Sequence, residues 1–95
     1  MAPQKLSDIE IQRELGALSG WTRKGDAIVR TYQFASFPGA IAFVVQAGFA
    51  AEALNHHPDL DIRYNKVGVL LSTHDAGGVS PLDFTLARQL DALAG

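Results

Sequence analysis

The chain contains three histidines, and two of them are adjacent and followed by proline: His56-His57-Pro58. The third, His74, stands in the segment Thr73-His74-Asp75-Ala76-Gly77-Gly78. Histidine has an unperturbed pKa of roughly 6.5, so it gives or takes a proton near neutral pH. Glu52 precedes His56 by four residues, which places both on one face of a helix, and Asn55 adjoins them. Proline disfavours the α conformation in the residue before it, so the helix must end near His56 and leave His57 extended. A carboxylate, an amide and two imidazoles thus meet at a helix C-terminus, where the dipole favours protonated histidine by about 0.3–1 kcal/mol. The chemistry open to such a set is acid–base catalysis.

Each residue also has a plainer reading. His56 and His57 can simply cap exposed helix carbonyls. His74, at the end of a strand, can be a satisfied polar residue. Asp83 is the acidic member of a Ser80-x-x-Asp83 capping box and stabilises its helix without any further role. Trp21 and the other aromatics are most simply core residues. Three imidazoles and a water can also hold zinc. Adjacent histidines in an extended segment diverge, however, and no His-x-His or His-x-x-x-His spacing occurs. The metal-free reading is therefore preferred, with no metal ligands assigned.

Composition narrows the class. The 95 residues suit a single domain over 1–95, and 47% are apolar, enough for a core and too many for a disordered chain. The net charge is −2 with scattered Lys and Arg, so there is no electrostatic footprint for nucleic acid. No run is read as approaching the roughly 18 apolar residues of a membrane span, and no basic segment leads into an apolar one at the start. Cysteine is absent, which excludes disulfides, thiolate metal sites and a cysteine nucleophile. A soluble cytoplasmic domain is the expectation, with no membrane partner.

The elements that must position the histidines follow from periodicity. Ahead of Leu6 the chain is read as loose. Ser7 and Glu10 form a capping-box pattern and Leu6 and Ile11 a hydrophobic staple, opening a helix with Ile11, Leu15 and Leu18 as its stripe and Gly20 as its stop. Trp21 to Lys24 reads as a strand, with Gly25-Asp26 as a tight turn. In the second strand Ile28, Arg30, Tyr32 and Phe34 share one face, and Val29, Thr31 and Gln33 the other. Ser36 caps a helix over about Pro38 to Asn55 that is apolar nearly all round. Ile41, Val44, Val45 and Phe49 lie on one side of it, with Phe43, Ala47, Ala50 and Leu54 opposite. One side is expected to meet the sheet and the other a second subunit.

Leu60, Ile62 and Tyr64 alternate, Asn65-Lys66 turns, and Val67, Val69 and Leu71 alternate again. Asp75 to Val79 reads as a loop, and a last helix starts at Ser80-Pro81 with Leu82, Leu86, Leu90 and Leu93 as its stripe. The order α-β-β-α-β-β-α favours an α+β domain, a four-stranded antiparallel sheet with three helices packed on one face.

The run Ala51-Glu52-Ala53-Leu54-Asn55-His56-His57-Pro58-Asp59, the Tyr64-Asn65-Lys66-Val67 turn, and Leu71-Ser72-Thr73-His74 followed by Gly78-Val79-Ser80 and Asp83 resemble the pterin-4a-carbinolamine dehydratases. The likeness extends to Gly20-Trp21 and the hairpin after it, so it covers essentially the whole chain. It implies dehydration of 4a-hydroxytetrahydropterins to quinonoid dihydropterin, which recycles the pterin of an aromatic amino acid hydroxylase. It also implies assembly as a homodimer or homotetramer, with no metal or organic cofactor.

Carried over by position, the resemblance makes His56, His57 and His74 the catalytic set around the 4a-hydroxyl. His74 and His56 would be the main proton-transfer groups, and His57 would help hold the ring. Glu52 would bind the pterin's amide and amino edge, Asp83 would orient a histidine or shape the pocket, and Asn55, Pro58, Ser72 and Thr73 would line the site. Leu60 stands where many relatives have tryptophan, and Asn55 where some have aspartate. The resemblance also carries two rival roles. One is that of a coactivator module, as in animal members that serve as dimerisation cofactors of a homeodomain transcription factor. The other is action on a different, molybdopterin-related pterin.

Overall fold

The computed structural model describes residues 4–95, so the part of the expected loose start at 1–3 lies outside it. The element order is α1 (Asp8–Gly16), β1 (Thr22–Lys24), β2 (Ala27–Gln33), α2 (Phe37–Leu54), β3 (Asp59–Arg63), β4 (Lys66–Leu71), a short 3₁₀ turn at His74–Ala76, and α3 (Pro81–Ala94). The strands form one antiparallel sheet in the order β1-β2-β4-β3. The expected α+β architecture is the observed one.

The two hairpins join through β2 and β4, which pair from Ile28↔Leu71 to Gln33↔Lys66. Directly opposed residues share a face. Ile28 and Tyr32 therefore stand beside Leu71, Val69 and Val67, and all five are buried. Phe43, Ala47 and Ala51 of α2, Ile11 of α1, and Phe84, Leu86 and Leu90 of α3 join them in one core. The opposite sheet face leaves Thr31 and Gln33 exposed.

Several local expectations are corrected. Helix α1 stops at Gly16, because the Ala17 and Leu18 amides bond Glu14 and Leu15 carbonyls and tighten the last turn. Gly20 serves another purpose: its φ of +92° is accessible to glycine, and an added Cβ would come within 2.7 Å of the Arg30 guanidinium. The second hairpin turns on Tyr64-Asn65, with Lys66 already in β4, because Asn65 is pinned to Phe34 through its side-chain amide and its carbonyl. The glycine loop begins with the 3₁₀ turn, closed by Gly77 at φ +75° and by the Thr73–Gly78 bridge.

Of the two apolar sides of α2, the core takes Phe43 and Ala47, while Val45 and Phe49 stand 53% and 75% exposed. This helix also overturns the expectation about apolar runs. Its 18 residues have a mean hydropathy of 1.5, long and apolar enough by length and composition to cross a membrane. Here that composition supplies a core face and an open face. In α3, Leu93 is 38% exposed, and Phe84 and Ala87 take the buried places beside Leu86 and Leu90.

A polar cluster with no local sequence signal clamps α3 to β2. One Asp91 carboxylate oxygen accepts from Trp21 Nε1 at 3.0 Å, from Arg30 Nη1 at 2.9 Å and from the Tyr32 hydroxyl. The Arg30 guanidinium also lies 4.5 Å from the Tyr32 ring centre. Burial, with the Asp91 hydrogen bond second, pushes the Tyr32 phenol well above its ordinary value near 10.

Candidate active site

The C-terminus of α2 is shaped by Asn55, which adopts the left-handed conformation at φ 50°, ψ 43°. Asparagine tolerates this region better than most residues. The Asn55 amide bonds the Glu52 carbonyl and the His56 amide bonds the Ala51 carbonyl, each at 3.0 Å, so the chain leaves the helix sharply at His56. Strand β3 starts at Asp59, directly after Pro58. The two imidazoles between these points separate. His56 turns inward to 8% exposure, while the His57 side chain stays 60% exposed.

His56 meets α3 at its first turn. Its Nε2 lies 2.5 Å from Asp83 Oδ1, and Asp83 is completely buried. The other Asp83 oxygen accepts from the Ser80 amide at 2.9 Å and from the Thr73 hydroxyl at 2.8 Å. Thr73 Oγ1 is also 2.6 Å from Ser80 Oγ, which accepts from the Leu82 amide at 3.2 Å. The proton directions are then fixed. Thr73 gives its only hydroxyl proton to Asp83, so Ser80 must donate to Thr73. With both Asp83 oxygens accepting, the His56 proton would sit on Nε2, the ring nitrogen that faces Oδ1. The capping residue and the histidine orienter are one carboxylate.

His57 Nε2 lies 2.7 Å from Glu52 Oε1 on the exposed side of the helix end. His74 opens the 3₁₀ turn after β4 and is exposed. Thr73, at the end of the β4 segment, bonds its amide to the Gly78 carbonyl at 2.8 Å. The Ser72 hydroxyl donates to the Asp26 carbonyl at 2.7 Å and ties this end of β4 to the first hairpin turn.

These pieces surround a cavity of about 450 Å3, lined by His56, His57 and His74 with Asn55, Ser72 and Thr73 among the other walls. All three histidines, separated by up to 18 residues in sequence, are therefore brought to one space. Asn55, Ser72 and Thr73, which the resemblance names as lining residues, stand in its wall. Thr73 is nonetheless buried and committed to Asp83 through its hydroxyl. Glu52 and Pro58 are not in its wall: Glu52 bonds His57 from outside, and Pro58 sits between the helix end and β3. Asp83 lies behind His56. Sequence reasoning missed Ser80 as part of the network; its capping-box pattern was visible, but the link to Thr73 was not. Leu82 and Asp75 also line the cavity and had no signal. A separate cavity of about 250 Å3 between α1 and α3 includes the Glu14–Arg88 ion pair and no histidine.

Comparisons with known proteins show the family. The family model for pterin 4 alpha carbinolamine dehydratase matches residues 4–93. This chain belongs to that family. A relative from Roseiflexus sp. (strain RS-1), provisionally named pterin-4-alpha-carbinolamine dehydratase, is 57% identical over 94% of this chain and 96% of its own length. One from Nocardia farcinica with the same provisional name is 52% identical over 99% of each chain. The crystal structure of a transcriptional coactivator/pterin dehydratase from Brucella melitensis is similar with a TM-score of 0.94 and 40% identity, covering 97% of this chain and all of that one. A pterin dehydratase-like protein identified as a RuBisCO assembly factor in the alpha-carboxysome shares the fold, with a TM-score of 0.66 and 22% identity over 79% of this chain and 87% of that one.

Proposed function

We propose that the protein dehydrates a 4a-hydroxytetrahydropterin to quinonoid dihydropterin and water in the three-histidine cavity. The observation that carries this reading is the convergence of His56, His57 and His74 on one cavity, with His56 oriented by the buried Asp83. The reaction breaks the C4a–O bond and the N5–H bond and forms a C4a–N5 double bond. The hydroxyl leaves as water only if protonated, and the N5 lone pair expels it. One group must therefore supply a proton and another must take one.

In this reading the two tasks fall to different histidines. His56 holds its proton on Nε2 against Asp83, so Nδ1 is the nitrogen with a lone pair for the N5 proton. The imidazolium that forms is stabilised by the Asp83 carboxylate. His74, exposed at the cavity mouth, delivers the proton to the departing hydroxyl and recovers it from solvent. His57, held by Glu52, positions the ring, and Asn55 and Ser72 bound the site. Each positioned acid or base contributes on the order of 10²–10⁴-fold. The reaction would support the pterin recycling of an aromatic amino acid hydroxylase in the cytoplasm.

Assembly belongs to the same proposal. Phe49 and Val45 of α2 are open, Ile62 of the edge strand β3 is 41% exposed, and a second copy of this chain would cover them in a homodimer or homotetramer. The coactivator role named for the Brucella protein would use such a surface too, but it would not require the histidines. Stopped-flow decay of chemically generated 4a-hydroxytetrahydropterin separates the two. The protein should accelerate decay over the spontaneous rate, and His74→Ala should lose most of that acceleration. Wild-type rates from His74→Ala would refute the role of His74, and no acceleration by the unaltered protein would refute the dehydratase reading.

A further inference from the structure

A second cavity of about 450 Å3 adjoins the three-histidine cavity, and the two share His57, Ser72, Thr73 and His74 as a common wall. Asp26 from the first hairpin turn and Asp59 at the start of β3 also line it, with Ala27 and Leu70. No lysine or arginine lines either cavity among the described residues. Two lysines stand outside: Lys5 lays its methylenes against Gly78, and Lys24 lines a depression on the sheet face that also includes Asp59 and Leu70.

We propose that this second cavity receives the C6 substituent of the pterin, and that it selects uncharged, hydroxylated substituents over phosphorylated ones. The inference rests on the dehydratase reading of the neighbouring cavity. The reacting atoms C4a and N5 must lie within reach of the imidazoles, and C6 is bonded directly to N5. With the pyrimidine half of the ring in the three-histidine cavity, the reacting edge meets the shared wall. The C6 substituent then has the second cavity beside it. There the Asp26 and Asp59 carboxylates can accept hydrogen bonds from side-chain hydroxyls. A phosphate in the same place faces two like charges without a cation in the wall, and like-charge contact discriminates strongly.

The test compares kcat/KM for 4a-hydroxytetrahydropterins carrying dihydroxypropyl, hydroxymethyl or hydroxymethyl phosphate at C6. The two uncharged substrates should agree within about three-fold, because a small change in an accommodating cavity discriminates weakly. The phosphate should be poorer by about ten-fold or more, mainly through KM. Salt at about 0.5 M should narrow the gap by screening, and so should Asp26→Asn combined with Asp59→Asn. Equal kcat/KM for phosphate and alcohol, or a gap unmoved by the double substitution, would overturn the subsite. If no substrate is accelerated, the dehydratase reading fails instead. Fluorescence binding of 6-hydroxymethyl-dihydropterin and its phosphate still decides the subsite, with equal affinities counting against it.

Discussion

Asp83 carries two duties that look like alternatives in the sequence. The Ser80-x-x-Asp83 spacing reads as a capping box, and Oδ2 does accept from the Ser80 amide, while Oδ1 holds a histidine 27 residues away. The cap was legible because it is local. The partnership with His56 was suggested only by family resemblance, since no periodicity links a helix end to the first turn of another helix. Thr73 shows the same limit, standing in the cavity wall but spending its hydroxyl on Asp83. Asp83→Asn would present an amide donor to His56 and favour the opposite tautomer. We expect kcat to fall by about 10²–10⁴-fold with a much smaller change in KM, read by the stopped-flow assay on protein whose circular dichroism is unchanged.

At the scale of elements, Asn55 decides where α2 ends and so where both imidazoles point. The sequence placed that end near Asn55, because Pro58 disfavours the α conformation at His57; the left-handed cap at Asn55 emerges only in the structure. Asn55→Ala puts a less tolerant residue at φ 50° and should cost about 1 kcal/mol in urea unfolding, whereas Asn55→Gly should cost less. If alanine proves no worse than glycine, the cap is not set by backbone preference. The end of α1 was less legible: Gly20 resembled a helix stop, yet its role is to admit Arg30, a neighbour ten residues on.

Across the whole molecule, the contacts hardest to foresee are those that join distant segments. Trp21, Arg30 and Tyr32 converge on Asp91 over separations of 59 to 70 residues, and nothing local marks Asp91 as their partner. Tyr32 is raised above its unfolded value, so its contribution is complete below pH of about 10 and is lost as pH rises toward the folded value. Denaturant midpoints should therefore fall above that pH, and the Tyr32→Phe protein should show a shallower alkaline fall. Equal slopes would remove Tyr32 as the cause. The apolar outer face of α2 was legible from composition, and the second subunit expected against it has a direct test. Phe49→Glu should leave the fold intact and shift sedimentation toward monomer, since Phe49 is 75% exposed. An unchanged assembly, or a wild-type monomer, would place the interface elsewhere or remove it.

The double duty of Asp83 also bears on how such a chain can diverge. Active-site residues commonly weaken the fold they sit in, so selection trades one property against the other. Here one carboxylate caps α3 and orients His56, and selection for either property preserves both. A descendant without the proposed chemistry could lose His56 or His74 without loss of the cap, but it would keep the Ser80–Asp83 pair. An aspartate retained beside vanished histidines would mark an enzyme turned scaffold.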